Sequence, residues 1–488
     1  MKKLPQRFLL LCLLLVAILR LPSLFEPYWY GDEGVYLTLG QAIRKGLVLY
    51  RDIHDNKPPL LYLLAALSGN VFWFRAILLG WMLTTTILFW KLIKNLFPKQ
   101  EKLAEISLFT FSILSSIPLI EGNIANAEIF MIGTTIAGFY LYFIAKKWSQ
   151  YLLAGIFFSF SALFKIPAIF DFATILVFFL FIAKKKNYQL LITNYFFLIF
   201  GFIIPILITI IYFTSQNALS YYLNAAFSQN LGYLFSWRAG TMVVRGLSSK
   251  IGLISRSGVL LMATLLIFLL RKSLAKPFIL ITIWFLFSLF AAALSERPYP
   301  HYLIQVLPSF CLILGILLTS GKTVIKRLAF SLIVLLVAGL VIVQFWVYPV
   351  FGYYFNFLGF ATHLKARAEY FAWFSPQVNQ TYAVANFLVK HTQPDERIFI
   401  WGDEPYIYAL SRRLPTGRYT VAYHIVDYNG YQETIETLTK NPPRWMIVME
   451  EENRLFPGLF NFLNSNYLLE EKINSAKIFH RRSIIEID

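Results

Sequence analysis

The sequence predicts a polytopic α-helical membrane protein of about eleven transmembrane helices, followed by a small α/β domain at its C-terminal end. Three observations carry this prediction. Hydrophobic residues make up 58% of the 488 and charged residues 14%, against about a quarter charged in ordinary soluble domains. The apolar residues gather into runs of the length that a ~30 Å hydrocarbon core requires. The composition then changes near residue 350. Residues 1–349 hold 30 Lys and Arg against 11 Asp and Glu, a balance of +19, whereas residues 350–488 hold 14 against 15, a balance of −1. The net charge of +18 therefore belongs with the spans, and nucleic acid is not needed to explain it.

In chain order the runs read as spans near 7–25, 70–93, 103–120, 126–145, 150–165, 167–183, 188–213, 253–270, 277–295, 301–320 and 327–349. Basic clusters fall at every second junction: Lys2/Lys3/Arg7, Lys91/Lys94/Lys99/Lys102, Lys146/Lys147, Lys184/Lys185/Lys186, Arg271/Lys272/Lys276 and Lys322/Lys326/Arg327. The positive-inside rule puts these six clusters in the cytoplasm, the N-terminus inside and the C-terminal domain outside. Phe8 to Leu19 is short enough for a signal-peptide core. Arg20-Leu21-Pro22 follows it in place of a small-residue cleavage site, so the run reads as an uncleaved anchor. Cys12 and Cys311 sit in separate spans without ligand spacing and read as core residues.

By this topology only Glu101 and Glu105, of the 11 acids in residues 1–349, lie on the cytoplasmic side. Glu26, Asp32, Glu33, Asp52, Asp55, Glu121, Glu128 and Glu296 lie at or near the outer face, with Asp171 in the outer part of its span. A carboxylate beside hydrocarbon is costly, so such residues face a cavity or a partner; Glu26, Asp52 and Glu296 also read simply as solvated loop residues. The first outer loop, 26–69, is ordered. After Asp32-Glu33, apolar Val35, Leu39, Ala42, Ile43 and Leu47 recur at helical spacing opposite Gln41, Arg44 and Lys45, which predicts an amphipathic helix along the membrane surface. The chain breaks at Gly46, runs extended through LVLYRDIHDN, and starts a second short helix at KPPLLYLLAALSG with prolines in its first turn. A carboxylate placed there suits deprotonation of a hydroxyl or retention of a divalent cation, and a lysine suits a phosphate.

The stretch DEGVYLTLGQAIRKGLVLYRDIHDNKPPLLYLL resembles the first extracytoplasmic loop of polyprenol-phosphate-dependent glycosyltransferases of the GT-C superfamily. That group holds protein O-mannosyltransferases and the lipid A aminoarabinose transferase. The fused DE after span one, the G-x-x-x-Y-R-D step and the K-P-P helix start occur there in this order, and the eleven spans with an outer C-terminal domain extend the resemblance over most of the chain. The resemblance implies transfer of a sugar, with inversion, from an undecaprenyl- or dolichyl-phosphate donor to a hydroxyl on an envelope lipid, glycan or protein, at the outer face of the plasma (inner) membrane. It gives Asp32 the place of the general base and Glu33 that of its support. It sets Lys57 near the donor phosphate. Where aminoarabinose enzymes have glutamate before that lysine, this chain has Asn56, with Asp55 as the substitute if that position holds a metal.

Further pieces extend the site. EGNIANAEIF (Glu121 to Phe130) occupies the second outer loop, where the resemblance implies a second catalytic carboxylate. Glu128 is the candidate and Glu121 the reserve, with capping of span four as the alternative for Glu128. Lys165 is read as meeting a lipid phosphate or as snorkelling to the interface. ERPYPHYLIQVLP (Glu296 to Pro308) resembles the superfamily's H-Y-x-x-x-x-x-P element, which makes Arg297 and His301 candidates for the phosphate and His301, with Asp55 and Glu128, a candidate for a divalent metal cation. A lone histidine at a helix start is more often an interfacial hydrogen-bonder, which is the alternative reading of His301. The loop 214–252, with Arg238 and Arg245, is a candidate donor gate. Donor, acceptor and membrane lipids are the implied partners, with no nucleic acid.

From about 350 the short alternating strands and helices predict an α/β domain with a partly parallel sheet. It holds no glycine-rich phosphate fingerprint and thus predicts no nucleotide cofactor. Asp403-Glu404 repeats the opening DE pair, but between a strand and a helix, where N-terminal capping explains it. A multispan transporter or lipid flippase is the rival reading. Such proteins place charged or broken-helix sites near the midplane and show internal repeats, neither of which is visible in this sequence.

Overall fold

The computed structural model describes residues 4–182, 188–230, 252–295 and 297–482. Each of the eleven predicted spans contains a helix: Leu4–Arg20, Val71–Leu96, Glu101–Leu114, Ala127–Ile144, Trp148–Phe164, Ile169–Ile182, Tyr188–Ser215, Leu253–Leu270, Lys276–Ala292, Leu307–Thr319 and Thr323–Val343. Six of these segments are long and apolar enough to cross a membrane, and four more are shorter apolar helices. The protein is a polytopic α-helical membrane protein. The third helix ends at Leu114, short of the predicted 120. Pro118 disfavours helix in the residue before it, and the chain turns into a 3-10 segment at Pro118–Ile120.

The chain divides into two compact units. The helical unit comprises residues 1–23, 75–212 and 227–351; the loop–sheet unit comprises 24–74, 213–226 and 352–488. One division between the units falls at 351/352, and residues 24–74 group with the C-terminal residues. In the helical unit, buried Arg20 closes the end of its helix by donating from Nη2 to the carbonyls of Ser115 and Gly122. These bonds satisfy a charge that burial alone would penalise.

In the loop–sheet unit, β1 (Arg397–Trp401), β2 (Leu414–Pro415), β3 (Trp445–Met449), β4 (Tyr467–Ile473) and β5 (Ala476–Arg481) form one sheet in the order β2-β1-β3-β5-β4. β1 runs parallel to β2 and β3, and β5 runs antiparallel to β3 and β4. The sheet is thus partly parallel, as its alternating elements predict. β3, buried at every position, is its centre.

The predicted amphipathic helix forms at Gly31–Arg44, but ten consecutive residues, Glu33 to Ala42, are buried. A helix resting on a membrane surface would show water one face. Here two glycines let protein backbone close in instead. A Cβ on Gly34 would meet Tyr406 N at 2.8 Å, and one on Gly40 would meet Ala65 C at 2.6 Å. Thr38 also donates to Pro405 C=O at 3.1 Å. The helix is therefore clamped between Leu60–Ser68 and Tyr406–Ser411. The extended LVLYRDIHDN is likewise corrected to a compact turn, in which Tyr50 takes a left-handed conformation (φ 70°) and its N–H donates to Ile53 C=O at 2.7 Å.

The Asp403-Glu404 pair caps a helix, though not the one that follows it. Asp403 Oδ1 accepts from the Tyr423 N–H at 3.2 Å, near the start of Ala422–Asp427, and Asp403 Oδ2 pairs with Arg454. Burial, with Asp403, Glu451 and Glu452 around it, pushes Glu404 up from 4.5 to about 7. The folded chain therefore holds this proton more tightly than the unfolded chain. The resulting stabilisation is complete below pH 4.5 and is lost as pH rises through about 7. The unfolding midpoint of the protein is expected to fall between about pH 5 and about pH 8, and Glu404→Gln to flatten that dependence. Equal pH slopes for wild type and variant would remove Glu404 as the cause.

Candidate active site

Asp32 is the second residue of Gly31–Arg44, where the helix N-terminus favours an anion. One turn on, Tyr36 stands on the same face and its O–H donates to Asp32 Oδ2 at 2.7 Å. Lys57 Nζ lies 3.3 Å from the same oxygen and 4.9 Å above the Tyr36 ring. Asp32 and Lys57 keep 31% and 20% of their side-chain surfaces exposed. Glu33, beside them, is buried.

Lys57 owes its position to two tyrosines that sequence reasoning missed. Tyr50 O–H donates to the Lys57 carbonyl at 2.7 Å, and the Lys57 N–H donates to Tyr62 Oη at 3.1 Å. Tyr62 in turn donates to Asp55 Oδ2 at 2.7 Å. Burial and the Asp55 charge hold the Tyr62 phenol well above its ordinary value, so it stays a donor. Asp55 Oδ1 accepts from the Asn56 N–H at 2.7 Å, and His424 Nε2 stands 3.5 Å from it. Burial, outweighing Asp55, lowers the His424 pKa and keeps its imidazole neutral. Asp55 therefore organises the K-P-P turn. Tyr36 was legible as the i+4 neighbour of Asp32, whereas nothing in sequence joins His424 to Asp55.

In the helical unit the structure gathers Glu121, Glu128, Lys165 and His301. Glu128, at the second position of Ala127–Ile144, pairs with Lys165, whose ammonium lies 4.0 Å over the Tyr302 ring. His301 Nε2 is 3.6 Å from Glu128, and its Nδ1 lies 2.7 Å from Glu121 Oε2, which also accepts from Asn126 at 2.9 Å. Since a carboxylate only accepts, the proton sits on Nδ1. Glu121, the reserve carboxylate, thus belongs to the cluster as much as Glu128. Lys165 bonds to Glu128. Arg297 lies half-buried just before the turn that carries His301. Glu296, Arg238 and Arg245 lie outside the described residues.

The metal expectation at Asp55, Glu128 and His301 finds no fit. Among the described residues no group of three or more His, Cys, Asp or Glu is arranged to hold an ion. An ammonium takes the place of a cation at Glu128, and Asp55 is spent on Tyr62, Asn56 and His424.

No family model matches the sequence, and no curated protein sequence matches it. Solved structures do. ArnT from Cupriavidus metallidurans bound to undecaprenyl phosphate superposes with a TM-score of 0.58 at 11% identity, covering 98% of each chain. The apo state of the same protein gives 0.56 at 12%, covering 97% of this chain and 98% of that one. The chain shares the fold of these structures over nearly its whole length.

Proposed function

We propose that this GT-C chain is a membrane glycosyltransferase that moves a sugar from a polyprenyl-phosphate donor to an acceptor hydroxyl on an envelope lipid, glycan or protein, with inversion. The observation that carries the reading is Asp32 and Lys57, a carboxylate and an ammonium 3.3 Å apart, partly exposed and held by a buried tyrosine network. The fold supports it, since ArnT is crystallised with undecaprenyl phosphate. The site lies outside the cytoplasm in a multi-pass protein of the plasma (inner) membrane, following the basic clusters.

In the donor-free chain Lys57 pairs with Asp32. A donor phosphate, a diester with one negative charge, competes with the carboxylate for the ammonium and frees Asp32 when it binds. Asp32 then takes the proton of the acceptor hydroxyl, and that oxygen forms its bond to the anomeric carbon from the face opposite the phosphate. The bond from anomeric carbon to phosphate oxygen breaks, its electrons go to the phosphate, and Lys57 stabilises the added charge. The proton on Asp32 returns to solvent. Glu33 supports Asp32 from the same turn. Glu128, Lys165 and His301 lie together in the helical unit; they and Arg297 are assigned no step, and no step is routed through a metal.

The test is transfer itself. The full chain, reconstituted in vesicles with a labelled polyprenyl-phosphate sugar and crude envelope acceptors, is expected to give labelled product insensitive to chelator. Movement of intact donor across the bilayer without transfer would overturn the enzyme in favour of a flippase.

A further inference from the structure

A cavity of about 590 Å³ opens in the loop–sheet unit, within the size range of small-molecule sites. Its wall carries Arg51 and Asp52 from the first outer loop and Arg397, Arg418, Glu433 and Asn441 from the sheet and its helices. Two of the three guanidiniums are compensated. Arg51 donates to both oxygens of Asp52, at 2.7 and 2.9 Å, and to the Gln216 carbonyl at 2.7 Å. Arg418 Nε lies 2.8 Å from Glu433 Oε1. Arg397 differs. Among the described residues it has no carboxylate within ion-pair distance, and its guanidinium makes one hydrogen bond, to the Pro415 carbonyl at 3.2 Å. Arg51 first, and Arg397 more weakly, hold the Asp52 carboxyl below the usual range, so it is ionised. The cavity therefore carries two neutral pairs and one surplus positive charge.

That balance selects a ligand class. A guanidinium with unused donors binds a carboxylate or phosphate in bidentate fashion, while Asp52, Glu433 and Asn441 offer partners to hydroxyl groups. Leu47 is the one apolar side chain in the wall, which does not suit a polyprenyl chain. The cavity is also tied to the catalytic loop: the His54 N–H donates to the Arg418 carbonyl at 2.8 Å, and the Val48 N–H to Asp52 Oδ2 at 2.8 Å. Lys57 lies three residues beyond His54.

We infer that this cavity recognises an acidic sugar unit of the acceptor, with its carboxylate or phosphate on Arg397. The inference rests on the glycosyl-transfer reading for the word acceptor, but its binding test does not. Glucuronate, glucose 1-phosphate, glucose and inorganic phosphate are titrated into the full chain in nanodiscs by isothermal calorimetry. The two acidic sugars are expected to bind at least about tenfold more tightly than glucose and than phosphate alone, and Arg397→Gln to remove about tenfold of that affinity. Arg397 is exposed on the first residue of β1, so this variant is expected to fold, with an unchanged unfolding midpoint as the check. Phosphate binding as tightly as the acidic sugars, no binding by any of the four, or full affinity in Arg397→Gln would each overturn the inference. Binding without transfer would sink the enzyme and spare the cavity; transfer without binding would do the reverse.

Discussion

Asp32→Asn is expected to lower transfer by about a thousandfold while leaving donor affinity intact. General acid–base groups contribute about 10²–10⁴-fold, and asparagine keeps the shape of the side chain and an oxygen able to accept the 2.7 Å bond from Tyr36. What the variant loses is the capacity to take a proton. It also loses its hold on Lys57, 3.3 Å away, so the ammonium becomes more available to the donor phosphate. The signature is therefore kcat falling with the KM for donor unchanged or lower. Lys57→Met is expected to raise the KM for donor as well as reduce kcat, because both bound and departing phosphate lose their cation. Transfer by purified, well-folded Asp32→Asn at the wild-type rate would remove Asp32 as base. A rise in donor KM with kcat intact would reassign it to binding.

Much of the fold was legible because its signals are local. A run of apolar residues must be helix in hydrocarbon, whatever it packs on, and eleven such runs became eleven helices. The α/β pattern of the last segment is read from periods of two and 3.6, which need no partner. The fate of Gly31–Arg44 was not legible. Its apolar stripe fits a bilayer surface as well as a protein groove, and only the close approach of Ala65 and Tyr406 to Gly40 and Gly34 decides between them. The candidate site divides the same way. Asp32, Tyr36 and Lys57 lie within one ordered loop, so their meeting follows from local order. Asp55 with His424, and Glu121 with His301, are joined across 369 and 180 residues of sequence. No spacing rule reaches that far, so neither pairing could be read from the sequence.

Lys165→Met is expected to be the most destabilising single change. Glu128 keeps 3% of its side-chain surface exposed and Lys165 18%, so removing the ammonium strands a carboxylate in the protein interior. Such losses cost about 3–5 kcal/mol. Glu128→Gln should cost less, because the ammonium keeps the Tyr302 ring 4.0 Å away. The double variant should recover most of the loss, since replacing both members of a buried pair is often close to neutral. The three unfolding midpoints in detergent form a cycle whose non-additivity measures the pair. A wild-type midpoint in Lys165→Met would mean that His301, 3.6 Å from Glu128, supplies the charge instead. Activity then separates structure from chemistry. Transfer lost in Lys165→Met and regained in the double variant makes the pair a strut that holds the helical unit in shape. Transfer lost in both, with the fold restored in the second, means that the Lys165 ammonium itself is needed by the donor, and the polar group of the helical unit then enters the mechanism.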